Sequence, residues 1–197
     1  MISTSFHEAG HAVFANIFKD YIHIQEVSIL PGEYGKGGVR IGTIKPESSE
    51  TTLDRFHFVV VNLAGLVVQF TTDDRGNNKV FHKILSYLKR RLTPNDSTTD
   101  SFDGDYENMQ NALTILSKEL KKTKEMILII ATLFIARLLQ REDIWMTIDT
   151  VALELENSKT INTLELTQLF NSIGFNQFII NNKAAFVEES KSLLFDN

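Results

Sequence analysis

The 197-residue chain has a formal charge of −5 with both signs scattered along it, which excludes a dedicated basic surface for nucleic acid. It has no cysteine, so disulfides and thiolate metal sites are excluded, and any metal must be held by His, Asp or Glu. With 43% hydrophobic and 23% charged residues, it reads as one globular unit with a real core.

Residues 3 to 19 predict a helix with Ser3 or Ser5 as N-cap. No basic region followed by an apolar stretch precedes it, so no signal peptide is expected and a cytoplasmic location is. Residues 24 to 30 are rich in β-formers and are stopped by Pro31-Gly32. A glycine loop over 32 to 38 leads into a second short strand, Val39 to Ile44. That loop lacks the Gly-Lys-Ser/Thr ending of a phosphate loop and precedes no helix, so nucleotide binding is discounted.

Helices follow at 51 to 71, with Thr51 or Thr52 near the start, and at 77 to 92. Residues 93 to 104 form a polar loop. Met109, Ala112, Leu113, Leu116 and Leu120 recur at helical spacing over 105 to 121, and 122 to 141 continue in helical style. Shorter helices are expected at 143 to 156 and 163 to 172, and a last one at 183 to 194. The apolar runs Phe56 to Phe70 and Met126 to Leu139 are interrupted by polar residues and read as buried helices rather than membrane spans. The fold class expected is mainly α (α+β), with a small β-element near the N-terminus. Residues 1 to 172 form the domain, and 173 to 197 are a C-terminal extension packed on it.

The chemistry-bearing stretch is His7-Glu8-Ala9-Gly10-His11. On a helix, positions i and i+4 share a face, so His7 and His11 can reach one metal ion. Glu8, one step round, can reach a water on that metal and take its proton. Gly10 is a poor helix former, and its place mid-helix implies close packing there. The bland alternative is an incidental pair of histidines on an ordinary helix.

A catalytic zinc takes three protein ligands and keeps one position open. The HExxHxxGxxH pattern is absent, since Phe14 and Ile17 occupy its later positions. His23, His57 and His82 read as core or surface histidines. Asp105 is the strongest candidate. It shares a helical face with Met109, Ala112 and Leu116, so it points inward, and a buried charge needs a partner. A first-turn acid complementing the helix dipole is the competing reading, and Glu107 and Asp100 stand behind Asp105 as ligands.

SFHEAGHAV, VSILPGEYGKGGVRIG, NLAGLVVQF and FDGDYENMQNAL, in that order, resemble segments of the peptidase domain of the FtsH-type, ATP-dependent zinc metalloproteases. VALELENSKTINTLELTQL resembles the last helical pair of that domain, so the likeness covers residues 5 to about 170. The resemblance implies a helical metallopeptidase domain with Zn2+ held by His7, His11 and Asp105 and with Glu8 as general base. It also implies a polypeptide substrate that adds to an edge strand, which by position is Gly38, Val39, Arg40, Ile41, Gly42 and Thr43.

The chain departs from the family in several places. It starts six residues before His7, so neither the ATPase module nor a membrane span is expected ahead of the motif. A separate ATPase or a homo-oligomer is therefore an expected partner. The Gly-Gly-Arg of the family becomes Ala64-Gly65-Leu66, and Ser101-Phe102-Asp103-Gly104 replaces the usual small residues before the aspartate. These losses motivate the alternative of a catalytically inactive relative kept as a binding or assembly module.

Overall fold

The computed structural model describes residues 3–30, 38–43, 50–73, 80–91 and 103–196. Among them the chain is mainly helical, in the order α1 (Ser3–Ile17), β1 (Ile22–Ser28), β2 (Gly38–Thr43), α2 (Thr52–Asp73), α3 (Val80–Arg91), α4 (Asp103–Leu120), α5 (Lys124–Leu138), α6 (Glu142–Ser158), β3 (Thr160–Asn162), α7 (Thr163–Ser172) and α8 (Phe175–Phe195). The glycine loop before Gly38, the bulk of the polar loop ahead of α4 and Asp100 within it lie outside the described residues.

α1 is the central helix. From Ser5 to Ala15 only Phe6 escapes full burial, because α2, α6 and β1 enclose it. Ser5 is not the N-cap; it lies within α1, and its hydroxyl donates to Glu156 Oε1 of α6 at 3.0 Å. Gly10 has the packing role that its position implied. A Cβ there would lie 3.0 Å from both the Ala64 carbonyl oxygen and Val68 Cγ2 of α2. The two helices therefore approach closely where the sequence is smallest.

α2 starts at a reciprocal cap. The Asp54 backbone N–H donates to Thr51 Oγ1 at 3.1 Å, and Thr51 N–H donates back to Asp54 Oδ2 at 2.9 Å. By length and composition alone its Thr52–Thr72 stretch, of mean hydropathy 1.3, would suffice to cross a membrane. In this fold 67% of that stretch is buried, and α2 packs on α1, α4 and α5.

The helical run over 105–141 is divided into two helices. Lys121 takes a left-handed φ of 54°, and Thr123 caps α5 by accepting from the Met126 N–H. The sheet has the order β2-β1-β3 with both pairings antiparallel. A bulge at Gln25 shifts the β1–β2 register between Ile24 and Glu26. Thr163 Oγ1 donates to the carbonyls of Ile24 and Gln25 at 2.8 and 2.7 Å, tying α7 to that irregularity. β3 has no counterpart in the sequence reading, since three residues carry too little alternation to register. α8 starts at Phe175, eight residues before the expected helix. It packs on α5 and α7 with Phe175, Ile179, Phe186, Leu193 and Leu194 buried.

Candidate metal centre

Three side chains from two helices converge on one point. α1 supplies His7 and His11 one turn apart, and α4 supplies Asp105 from its first turn. His7 Nε2 and His11 Nε2 are 3.0 Å apart, and Asp105 Oδ2 lies 3.1 Å from the first and 3.2 Å from the second. Both histidines are 4% exposed and the Asp105 side chain is 20% exposed, so the cluster is sheltered beneath α4 and reaches the surface at Asp105. The structure thus brings together the three residues named from the sequence, while Glu107 is exposed on the far side of α4.

α2 sets the histidine tautomers. His11 Nδ1 donates to the Val61 carbonyl at 2.7 Å, and His7 Nδ1 donates to Gln69 Oε1 at 3.1 Å. Both acceptors are oxygens, so each neutral ring keeps its proton on Nδ1 and presents a lone pair at Nε2. With both rings neutral, two imidazole lone pairs and a carboxylate oxygen then face one another. That arrangement is unfavourable unless a cation joins it.

Burial alone would lower the His11 pKa, but the charge and hydrogen bond of Asp105, with the Glu8 carboxylate and Val61 carbonyl behind them, push it up to about 9. Burial would raise Asp105, yet His11 and then His7 hold it well below the usual carboxylate range. The site therefore attracts either a proton or a metal. Nitrogen and oxygen ligands at about 2.0–2.2 Å in tetrahedral array sit roughly 3.3–3.6 Å apart. The three observed separations need open by only a few tenths of an ångström, so this buried His-His-Asp group can hold a metal ion.

Gly65 is as much a part of the site as the ligands. A Cβ at this position would fall 2.4 Å from His11 Nε2 and 2.7 Å from its Cδ2. The expected packing role of Ala64-Gly65 is therefore specific: Gly65 leaves the space that the His11 ring fills. Gln69 was not anticipated. Its spacing of four from Gly65 on the same α2 face was the available signal.

Glu8 is 6% exposed, and among the described residues no side chain hydrogen-bonds its carboxylate. Burial raises its pKa against the lowering effect of His7 and His11, with Asp105 adding to the rise. β2 is an edge of the sheet among the described residues and packs beside α1. The side chains of Gly38 to Thr43 lie outside the described residues. His23 and His82 are exposed and His57 is in the core, all three apart from the cluster. In comparison with known proteins, the chain matches no protein-family model and no curated protein.

Proposed function

We propose that the chain is a zinc-dependent endopeptidase, similar to the FtsH-type peptidase domain, that hydrolyses unfolded or flexible polypeptides. The observation that carries this reading is the convergence of three lone-pair donors within 3.2 Å, with the Glu8 carboxylate on the adjoining residue of α1. A tetrahedral ion with two imidazoles, one carboxylate and an open position is the ligand pattern of catalytic zinc. Zinc held there lowers the pKa of its water and polarises the scissile carbonyl.

The roles of the chain's own residues follow from their placement. His7 and His11 bind through Nε2, oriented by Gln69 and Val61 from behind. Asp105 supplies the anionic ligand. Glu8, its proton affinity raised by burial, takes the proton of the attacking water on its carboxylate and delivers it to the leaving amine nitrogen. The backbone of β2, an edge strand beside α1, would align an extended substrate by adding it to the sheet. The narrow sheet edge favours extended chains, so a folded protein would need a separate unfoldase to present it.

The test is zinc content by mass spectrometry together with hydrolysis of an unfolded, fluorescently labelled protein. The wild type should bind one zinc and cleave, and a chelator should stop cleavage. Glu8→Gln should keep the metal and lose about 100-fold or more in turnover. Zinc bound without turnover on any unfolded chain would support the binding-module alternative, and absence of bound zinc would defeat both.

A further inference from the structure

A cavity of about 320 Å³ lies where β1 outruns β3. β3 pairs only with Glu26 to Ser28, so among the described residues the edge of β1 from Ile22 to Gln25 has no strand beside it on that side. α7 takes the place of a strand there. Thr163 Oγ1 reaches the carbonyls of Ile24 and Gln25, which the bulge leaves open to one hydroxyl. Between α1, β1 and α7 a space remains. Its floor is apolar, formed by the buried side chains of Ile22, Ile24, Leu166 and Phe170. Its mouth is polar and exposed, with Lys19 and His23 on one side and Thr163 and Thr167 on the other. The cavity is built on the C-terminal end of α1 and shares no residue with the metal cluster.

Lys19 gives the mouth its charge. Its Nζ donates to Asn176 Oδ1 at 3.1 Å, and the same oxygen accepts from Asn16 Nδ2 at 3.2 Å. A neutral amide oxygen thus serves two donors, and two N–H groups of the ammonium are left for other acceptors. None of the described residues that line the cavity is acidic. The acids nearest in sequence are committed elsewhere. Asp20 pairs with Lys183, and Glu165 Oε2 accepts from the Asn162 N–H at 2.9 Å. A ligand carboxylate at the mouth would gain a charge-assisted hydrogen bond from Lys19. An alkylammonium would meet a like charge, and a small polar anion would leave the apolar floor uncovered. At the ~30 Å³ that a water-sized group occupies in a liquid, the cavity takes roughly ten non-hydrogen atoms.

We infer that this cavity is a binding site for a small aliphatic monocarboxylate, its tail on the floor of Ile22, Ile24, Leu166 and Phe170 and its head at Lys19. The site stands apart from the peptidase reading and holds whether or not the metal cluster is catalytic. The test is a proton–nitrogen NMR titration of the full-length protein with octanoate, octylammonium and acetate. Octanoate should bind with a Kd on the order of 1 mM or tighter, and the shifts should centre on the amides of Ile24, Thr163 and Thr167. Octylammonium has the same tail and the opposite charge, and acetate has the same head and no tail. Each should bind at least about tenfold more weakly. Lys19→Met keeps the apolar stem and loses the ammonium, so it should weaken octanoate about tenfold while leaving octylammonium no weaker. Thr167→Trp, at an exposed position of α7, should fill the mouth and weaken octanoate at least as much. Equal binding of octanoate and octylammonium, or octanoate binding that both variants leave unchanged, would overturn the site. So would shifts centred elsewhere, or the absence of saturable shifts.

Discussion

Two buried histidines, His11 packed against α2 and His57 within it, behave in opposite ways. His11 and His57 are 4% and 5% exposed, so burial does not distinguish them. The His57 ring stacks on Phe18 at 3.9 Å, and its Nε2 donates to Ser190 Oγ at 3.0 Å, a hydroxyl that itself donates to the Val187 carbonyl. His57 thus carries its proton on Nε2, is committed to one neutral neighbour, and is pushed down to about 3 by burial, with Asp54 opposing weakly. His11 has its proton fixed on Nδ1 by Val61, leaving Nε2 bare beside a carboxylate, and is pushed up to about 9. Which nitrogen the backbone claims, and whether a carboxylate faces the other, separates a core histidine from a ligand.

The largest break in this contrast is removal of the carboxylate. Asp105→Ala removes the main charge that offsets the burial of His11 and leaves only the Glu8 carboxylate, which moves it towards the situation of His57 with Asp54. Zinc affinity, measured by competition with a chromophoric chelator, should fall by more than about 100-fold, beyond the 10–100-fold usual for outer-sphere partners, and hydrolysis should go with it. His57→Gln should leave zinc affinity unchanged. A loss under about tenfold for Asp105→Ala would remove Asp105 from the ligand set.

Next in size is Gly65→Ala. The added methyl group would overlap the His11 ring, with Nε2 only 2.4 Å away, so the ring must turn or α1 and α2 must part. Zinc affinity should drop about 10–100-fold, with far-ultraviolet circular dichroism retained. Unchanged affinity would mean that the ring has another accessible rotamer. Gln69→Leu is milder. It leaves the His7 Nδ1–H without its acceptor, and about tenfold weaker zinc binding is expected.

The same contrast explains what the sequence made legible. His7, Glu8 and His11 could be read because i, i+4 spacing on a helix is local. Asp105 could be read because it falls on the apolar stripe of α4, and a carboxylate on such a stripe needs a reason. Most helices were visible from their spacing, with ends displaced by a few residues where caps at Thr51 and Thr123 decide them. The spacing of Gln69 from Gly65 shows only a shared α2 face, and the roles of both towards His7 and His11 depend on how closely α1 and α2 approach. The β3 strand and the early start of α8 were missed for a related reason. β3 exists because β1 offers it a partner, and Gly174, at φ +72°, turns the chain from α7 straight into α8.

The smallest effect concerns His57 and gives the contrast a pH signature. The unfolded histidine titrates near 6.5, while the folded one stays neutral down to about 3. Above pH 6.5 neither state is protonated, and His57 adds no pH dependence. As pH falls below 6.5 the unfolded state takes up a proton that the folded state refuses, so stability is lost progressively towards pH 3. The slope is at most about 1.4 kcal/mol per pH unit, or about 2 kcal/mol between pH 6.5 and 5. His11, whose folded pKa is raised, changes stability only above pH 6.5, so the two windows do not overlap. Urea denaturation of wild type and His57→Gln at pH 7, 6 and 5 isolates the effect, since every other group is common to both. The wild type should lose more stability than the variant on acidification, although it is the more stable of the two at pH 7 because of its Phe18 stacking and Ser190 hydrogen bond. Parallel acid profiles for the two proteins would show that His57 takes up its proton in place, and the distinction between the two histidines would then rest on the carboxylate alone.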